Sequence, residues 1–149
     1  MRTLAIDLGA RRVGLALSDE GGRFATPLDV LTVASPEHAI SLVLPVVAKE
    51  SPDQILLGLP LNMDDSLGPA ARATLAWGRA LAERSGKAVV YVDERLSSFA
   101  AEQTLNDRRR AGENLTRKKK KQQLDAVAAA GFLQQFLDGK LEAISISGV

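Results

Sequence analysis

Short apolar runs alternate with segments of helical periodicity along this chain. Residues 2–8 and 12–18 are apolar runs joined by a tight turn, which is typical of a hairpin, and a third run follows at about 24–33. Continuous apolar runs at 54–59 and 88–92 are typical of buried parallel strands. The pattern therefore predicts an α/β fold in which an antiparallel hairpin region joins parallel strands.

Helix signals separate these runs. Residues 35–37 read Ser-Pro-Glu and predict a helix to about residue 49, with a kink or a break at Pro45. A second helix is predicted over 69–85, with Gly86 as its stop. A serine at 97 or 98 is expected to cap a third helix. The final helix is predicted over about 119–137.

Asp7 interrupts the first apolar run. In an extended strand, Leu4, Ile6 and Leu8 share one face, and Ala5 and Asp7 share the other. Burial of a lone carboxylate is costly or raises its pKa, so such a residue usually has a cation, a hydrogen-bond cluster or a metal beside it. The alternative is a strand-end aspartate that caps the following turn.

Further acids occupy positions that converge on Asp7. Asp93 and Glu94 end the last buried run, and Asp125 lies on the apolar stripe of the final helix, which is formed by Ala128, Ala129, Phe132 and Phe136. Ligands of open α/β sheets gather at the carboxyl ends of parallel strands. If the first strand is central, these carboxylates meet, and divalent cations relieve their repulsion. The alternatives are an ion pair between Glu94 and Arg95 and a solvent-edge position for Asp125.

The composition restricts any metal chemistry to oxygen ligands. The chain has no cysteine and a single histidine, His38, which excludes thiolate chemistry and disfavours a histidine-rich metal site or a serine triad. Oxygen-only sites favour Mg²⁺ or Mn²⁺. Paired metals on clustered carboxylates support phosphodiester cleavage.

Size and hydropathy predict one domain without a membrane partner. The chain has 149 residues, 46% of them hydrophobic and 25% charged, which predicts a single domain over 1–149 with 139–149 as a C-terminal tail. The N-terminal apolar stretch is too short and too acidic for a signal peptide, and no segment approaches membrane-span length. A cytoplasmic location is expected.

A basic run lies just before Asp125. The net charge is +1, but residues 106–121 carry +6 and the remainder carries −5. Such density predicts a polyanionic partner, and the alternative is a solvated loop. The run contains Arg108, Arg109, Arg110, Arg117, Lys118, Lys119, Lys120 and Lys121.

Four motifs in this order resemble the YqgF (RuvX) family, over about residues 2–138. They are Asp7-Leu8-Gly9 with Arg12-Val13-Gly14 and Ser18-Asp19, Gly58-Leu59-Pro60-Leu61-Asn62-Met63-Asp64, Val92-Asp93-Glu94-Arg95-Leu96, and Asp125-Ala126-Val127-Ala128-Ala129. The family comprises proposed pre-16S ribosomal RNA nucleases and Holliday-junction-resolvase-like proteins.

The resemblance implies an RNase H-like fold, with a mixed five-stranded sheet flanked by helices. It implies a catalytic, metal-binding triad of Asp7, Glu94 and Asp125 with two Mg²⁺ or Mn²⁺ ions, and Asp93 is a further candidate ligand. Strand alternation also places Glu94 on the face of Val90 and Val92. Arg95, Ser97, Asn62 and the basic run are the candidate nucleic-acid contacts. Ser97 is equally a candidate helix cap, and Asn62 a candidate turn residue.

The expected activity is hydrolysis of phosphodiester bonds at the 5′ end of pre-16S ribosomal RNA, as an endonuclease rather than an exonuclease. The alternatives are a resolvase of branched DNA, a non-catalytic RNA-binding assembly factor, and a phosphotransferase, which would need a second domain of this kind. Two positions depart from the family pattern: Asp65 replaces a usual glycine, and Ala128 stands where resolvases of this fold have a second acid. Whether the protein is a monomer or a homodimer is left open.

Overall fold

The computed structural model describes residues 1–95 and 117–144, without the side chains of 117–123. Its five strands form one mixed sheet in the order β3-β2-β1-β4-β5, so the strand that carries Asp7 is central, which is the condition under which the acids were expected to meet. The hairpin strands β1, β2 and β3 pair antiparallel, whereas β1, β4 and β5 pair parallel. The strands are β1 (Thr3–Leu8), β2 (Arg12–Ser18), β3 (Ala25–Thr32), β4 (Gln54–Leu59) and β5 (Ala88–Asp93).

The described helices are α1 (Pro36–Glu50), α2 (Pro69–Ser85) and α3 (Arg117–Leu137). The start of α1 is capped as predicted, because the Ser35 side chain accepts a hydrogen bond from the His38 backbone N–H. Gly86 ends α2 with φ of 72°, in the left-handed region. The helix predicted after residue 97 lies outside the described residues.

The break predicted as one possibility at Pro45 does not occur, because α1 continues to Glu50. Pro45 lies on the exposed side of α1, where water can satisfy the carbonyl group that lacks its helical partner. The opposite side of the helix buries Ala39, Ile40, Val43 and Val47. Packing of this apolar side on the sheet holds the helix together across the proline.

Apolar side chains cover both faces of the sheet. On one face, Leu4 and Ile6 pack in a cluster with residues of α1 and α2, and the indole N–H of Trp77 donates to the Pro36 carbonyl at 2.9 Å. On the other face, Ala5 packs in a cluster with Phe132 and Leu133 of α3. Each large side chain buried in this way contributes about 1.5–3 kcal/mol. The predicted alternation of β1 is therefore confirmed, and Asp7 lies on the α3 side of the sheet.

The end of the described chain packs against the sheet. The backbone N–H of Ile144 donates to the Tyr91 carbonyl at 2.7 Å, and Leu141 packs against the cluster under α3. Part of the predicted C-terminal tail is thus attached to β5. No helix in the described ranges has the length and apolar character needed to cross a membrane.

Gly14 allows α3 to approach the sheet closely. A Cβ atom at Gly14 would lie 2.0 Å from the backbone oxygen of Asp125 and 2.9 Å from the Ala126 nitrogen. These are backbone atoms, so any side chain at residue 14 would displace the helix as a whole. Gly14 thereby determines how closely α3, at Asp125 and Ala126, approaches the sheet.

We expect Gly14→Ala to destabilise the protein by about 1–3 kcal/mol, because α3 must move off the sheet. Urea unfolding, monitored by circular dichroism, measures this loss. Gly21→Ala is the matched control, since its Cβ would meet only a carboxylate oxygen of Asp19, at an ordinary 3.5 Å. Equal stability of the two variants would contradict the close packing at Gly14.

Candidate active site

Two of the predicted acids meet at the carboxyl ends of parallel strands. Asp7 lies near the end of β1, and Glu94 follows the last residue of β5. Gly58 of β4 lies between them, because it pairs with Val92 and directly follows the residue that pairs with Ile6. Alternation then sets Glu94 on the same face as Val92, which is the face that α3 covers.

Gly58 provides the space in which the two carboxyl groups approach each other. A Cβ atom at Gly58 would lie 2.6 Å from Glu94 Oε2 and 3.1 Å from the Phe132 ring. The glycine therefore lets the Glu94 side chain extend across β4 toward Asp7. A side chain at residue 58 would lie between the two acids and separate them.

Asp7 and Glu94 are joined by a side-chain hydrogen bond. Two carboxyl groups can share such a bond only when one of them carries a proton. Burial raises the pKa of Glu94 to about 8, and the charge of Asp7 adds to this effect. Burial also raises the pKa of Asp7, against the opposing effect of the hydrogen bond with Glu94. The shared proton therefore belongs to Glu94, which donates to Asp7.

Asp125 approaches this pair from α3 and is held by an arginine. Its Oδ2 accepts a hydrogen bond from Arg12 Nε at 2.7 Å, and the two side chains are 27% and 42% exposed. The negative charge of Asp125 contributes to the raised pKa of Asp7, so the third acid lies close enough to act on the first. The structure thus brings the predicted triad to one edge of the sheet.

The donor atoms fit a hard divalent cation. Asp7 and Glu94 supply only oxygen atoms, and they are close enough to share a proton that a cation would replace. Within residues 1–95 and 117–144, however, no group of three acids or histidines is compact enough to enclose a metal ion as it stands. The pair Asp7–Glu94 is therefore the core of the candidate site, and Asp125 is the candidate third ligand beside it.

Asp93 and Arg95 belong to a separate network. The Arg95 Nε donates to both carboxylate oxygens of Asp93 at 3.0 Å, and its Nη1 donates to the Asn62 carbonyl at 2.7 Å. Its Nη2 contacts Asp93 and Asp65. These bonds lower the pKa of Asp93. The network attaches the loop at 60–68 to the end of β5, and it engages Asp93 away from the Asp7–Glu94 pair.

Asp65 lies in the same loop, at a position with glycine-like backbone geometry. Its φ is 67°, in the left-handed region that is costly for residues with a side chain. Contact with Arg95 helps to hold it there. Asn62 stabilises the same loop, since its Nδ2 donates to Ser66 Oγ at 3.0 Å.

The other candidate nucleic-acid contacts are not located by the structure. Ser97, Arg108, Arg109 and Arg110 lie outside the described residues. Arg117 is the first residue of α3, and Lys118, Lys119, Lys120 and Lys121 lie in its first turns, but only their backbone is described. Their role in binding stays a prediction.

The sequence reasoning missed three residues that build the site. Arg12, Gly14 and Gly58 entered only as members of the family motifs, with no role assigned to any of them. The register gives the signal that could have found the glycines, because Gly14 pairs with Asp7 across the hairpin and Gly58 lies on its other side. A carboxylate flanked by glycines in both neighbouring strands indicates close approach of further groups.

Comparison with known proteins identifies the relatives of this chain. Residues 1–139 match the RuvX family, which is described as "Holliday junction resolvase". A protein of Acidiphilium cryptum (strain JF-5), named "Putative pre-16S rRNA nuclease", is 39% identical over 137 residues, which are 92% of this chain and 84% of the relative. A protein of Rhizobium etli (strain CIAT 652) with the same name is 41% identical over 133 residues, which are 89% of this chain and 78% of the relative.

Two solved structures share the fold of this chain. The structure of Thermus thermophilus RuvC matches with a TM-score of 0.60 at 16% identity, and the match covers 97% of this chain and all of that one. The fowlpox virus Holliday junction resolvase matches with a TM-score of 0.55 at 12% identity, covering 93% and 99% of the two chains. At these identities the similarity concerns the fold, and it confirms the predicted RNase H-like architecture.

We expect the stability of the protein in EDTA to fall as the pH rises from about 4.5 to about 8. The folded protein binds the Glu94 proton more tightly than the unfolded chain does, so ionisation of Glu94 above its ordinary pKa favours unfolding. Below this range both states are protonated at Glu94, and the penalty is absent. Urea unfolding measured at intervals between pH 5 and 9 tests this trend.

Glu94→Gln should flatten this dependence, because the amide carries no titrating proton. Glu83→Gln, at an exposed position of α2, is the matched control and should retain the slope of the parent. A Glu94→Gln variant with the full parental slope would show that another group dominates the titration.

Proposed function

Because this chain belongs to the RuvX family, we propose that it is a metal-dependent nuclease that hydrolyses phosphodiester bonds in the precursor of 16S ribosomal RNA. The observation that carries the proposal is the hydrogen-bonded pair of Asp7 and Glu94 at the end of the central strands, with Asp125 beside it. Such a cluster is unfavourable for stability, because it places buried acids close together and does not give each of them a positively charged partner. A catalytic role explains why the fold maintains it.

The names of the relatives support the choice of substrate. Proteins that are 39% and 41% identical over most of this chain carry the name of a pre-16S rRNA nuclease. Ribosomal RNA precursors are structured, and proteins bind them through phosphates and local shape more than through sequence. The proposal includes action in the cytoplasm and internal cleavage near the 5′ end of the mature sequence.

Asp7, Glu94 and Asp125 would hold the divalent cations, two in number, of the Mg²⁺ or Mn²⁺ type. Bound cations would supply an activated water and would stabilise the leaving oxygen of the phosphodiester. The role of Glu94 is to release its proton when the site is loaded, so that both carboxyl groups become ligands. The role of Asp7 is to hold the central position between Gly14 and Gly58, where groups from β5 and α3 can reach it.

Branched DNA is the second candidate substrate, because the family description names Holliday junction resolution. One structural observation disfavours it. Ala128, one helical turn beyond Asp125, is 5% exposed and packs with Val127 and Leu124. An apolar contact therefore occupies the position at which resolvases of this fold add an acid.

Cleavage assays test the proposed activity. The parent protein is expected to cut a structured RNA that spans the 5′ end of 16S ribosomal RNA when Mg²⁺ or Mn²⁺ is present. Asp7→Asn and Asp125→Asn should each reduce the rate about a hundredfold or more, because each removes charge from the metal-binding cluster. A four-way DNA junction is assayed in parallel. Fragments that arise from a cut within the strand identify an endonuclease, whereas release of single nucleotides from an end identifies an exonuclease.

Asp138→Asn is the matched control, at an exposed position directly after the last residue of α3. It should retain parental activity. Cleavage that survives both Asp7→Asn and Asp125→Asn would refute the role of the carboxylates. Cleavage of the junction but not of the RNA would refute the proposed RNA substrate and would be consistent with a nuclease that acts on branched DNA.

Binding of Mn²⁺ gives a test that does not depend on cleavage. We expect Gly58→Ala to weaken Mn²⁺ binding about 10- to 100-fold, because the added methyl group displaces the Glu94 carboxyl group from Asp7. Isothermal titration calorimetry measures the affinity. The loss of stability should be about 1–3 kcal/mol, since the added methyl group also presses on Glu94 Cβ and on the buried Phe132 ring, each 3.1 Å away. Gly21→Ala should bind Mn²⁺ like the parent, and equal affinity in the two variants would contradict the proposed site.

A further inference from the structure

We propose that Arg12 and the cleft formed by residues 9–12 bind a phosphate group of the nucleic-acid backbone beside the acid cluster. This inference rests on the proposed function, because it names the part of the protein that would hold the substrate at that site. The cleft has a volume of about 280 Å³ and is lined by Gly9, Ala10, Arg11, Arg12 and Asp125. Its lining therefore includes two arginines and one of the candidate catalytic acids.

The backbone of the cleft is firmly held. The N–H of Gly9 donates to the Arg12 carbonyl at 2.9 Å, and the N–H of Val33 donates to the Arg11 carbonyl at 2.8 Å. A Cβ atom at Gly9 would lie 2.5 Å from the Arg12 oxygen, so the turn needs glycine to close. This tight turn connects β1, which carries Asp7, directly to Arg12 at the start of β2. The side chain of Arg12 consequently starts from a fixed point beside the acids.

Most hydrogen-bond donors of Arg12 remain available. A guanidinium group has five N–H donors, and only the Nε of Arg12 bonds to another described residue, Asp125. The Arg12 side chain is 42% exposed. A phosphate oxygen pair matches the planar fork of the Nη groups, which can bind it while Nε stays on Asp125. Asp125 would thus aim the guanidinium at the substrate.

The comparison with Arg95 shows why Arg12 is the better candidate for phosphate contact. Arg95 directs Nε, Nη1 and Nη2 to Asp93, Asn62 and Asp65, so its donors already have protein partners. Arg12 has one such bond. The sequence reasoning assigned phosphate contact to Arg95, and the geometry of the described residues favours Arg12.

A purely stabilising role does not explain this arrangement. Ion pairs with this degree of exposure contribute about 0–1 kcal/mol. A positive charge next to a metal ligand also opposes cation binding. The arrangement becomes favourable when a phosphodiester enters, because its negative charge lies between the cation site and the guanidinium and is attracted by both.

Salt-dependent binding tests the proposal. The probe is a fluorescein-labelled RNA hairpin with a 12-base-pair stem, and its affinity is measured by fluorescence anisotropy in EDTA, which prevents metal-dependent cleavage. Arg12→Gln should weaken binding about three- to tenfold at 0.1 M salt. It should also reduce the slope of log K against log salt by about 0.9, the value for one duplex phosphate contact. Arg12→Lys should restore the slope but not the full affinity, because lysine keeps the charge and lacks the planar fork.

Arg84→Gln removes the same charge from an exposed position on the last turn of α2, and it serves as the matched control. Its slope should equal that of the parent. If Arg12→Gln leaves the slope unchanged, or if Arg84→Gln reduces it equally, the phosphate contact is refuted. Circular dichroism melting of each variant verifies that the fold is intact.

Titration with Mn²⁺ separates direct contact from an indirect effect through Asp125. Arg12→Gln should bind Mn²⁺ as tightly as the parent or more tightly, because a repelling charge is removed. Loss of Mn²⁺ binding would mean that Arg12 acts by placing Asp125, which would overturn the direct contact. Cleavage by the parent with an unchanged salt slope in Arg12→Gln would refute this inference alone. If the parent does not cleave the RNA but Arg12→Gln still reduces the salt slope, the phosphate site is supported and the nuclease assignment is refuted.

Discussion

The approach of two carboxyl groups on a single face of the sheet is the constraint around which this protein is arranged. The carboxyl groups of Asp7 and Glu94 approach each other at the carboxyl ends of β1 and β5, two strands that do not pair with each other. Gly58 in the intervening strand makes this possible because it has no side chain to separate them. On the other side of Asp7, Gly14 admits the backbone of Asp125. The absence of side chains at two positions thus determines the geometry of three acids.

This arrangement separates stability from function across the sheet. The face under α1 and α2 carries a large apolar cluster that contains Leu4 and Ile6 and supports the fold. The face under α3 uses small residues and glycines next to Asp7, so its packing allows close approach of acids and backbone. Repulsion among these acids is relieved in the structure by a shared proton and by Arg12. A cation can replace the shared proton, and a phosphate can bind to Arg12.

The sequence was sufficient for the order of the described elements, and it named the three acids that the structure brings to one edge of the sheet. Alternation in the first run placed Asp7 opposite Leu4 and Ile6, and the apolar runs at 54–59 and 88–92 predicted the parallel strands that the structure contains. These features depend on local periodicity, which a sequence states directly. Proline and glycine signals likewise located the ends of α1 and α2. The sequence predicted a kink or a break at Pro45, and the break does not occur, since packing of the buried side of α1 outweighs the lost backbone bond.

The partners of each charged side chain were decided by the tertiary structure. Arg95 follows Glu94 directly in sequence, yet it binds Asp93 and the loop at 60–68, whereas Arg12 reaches Asp125 across 113 positions of the chain. Such choices depend on the register between strands and on how near α3 approaches the sheet, and neither is encoded in any local pattern. The sequence by itself determined which acids and which strands this protein has. Only the folded chain decided that Asp7 would share a proton with Glu94 and that Arg12 would stand beside Asp125, because two glycines far apart in sequence had to come to lie on either side of one carboxylate.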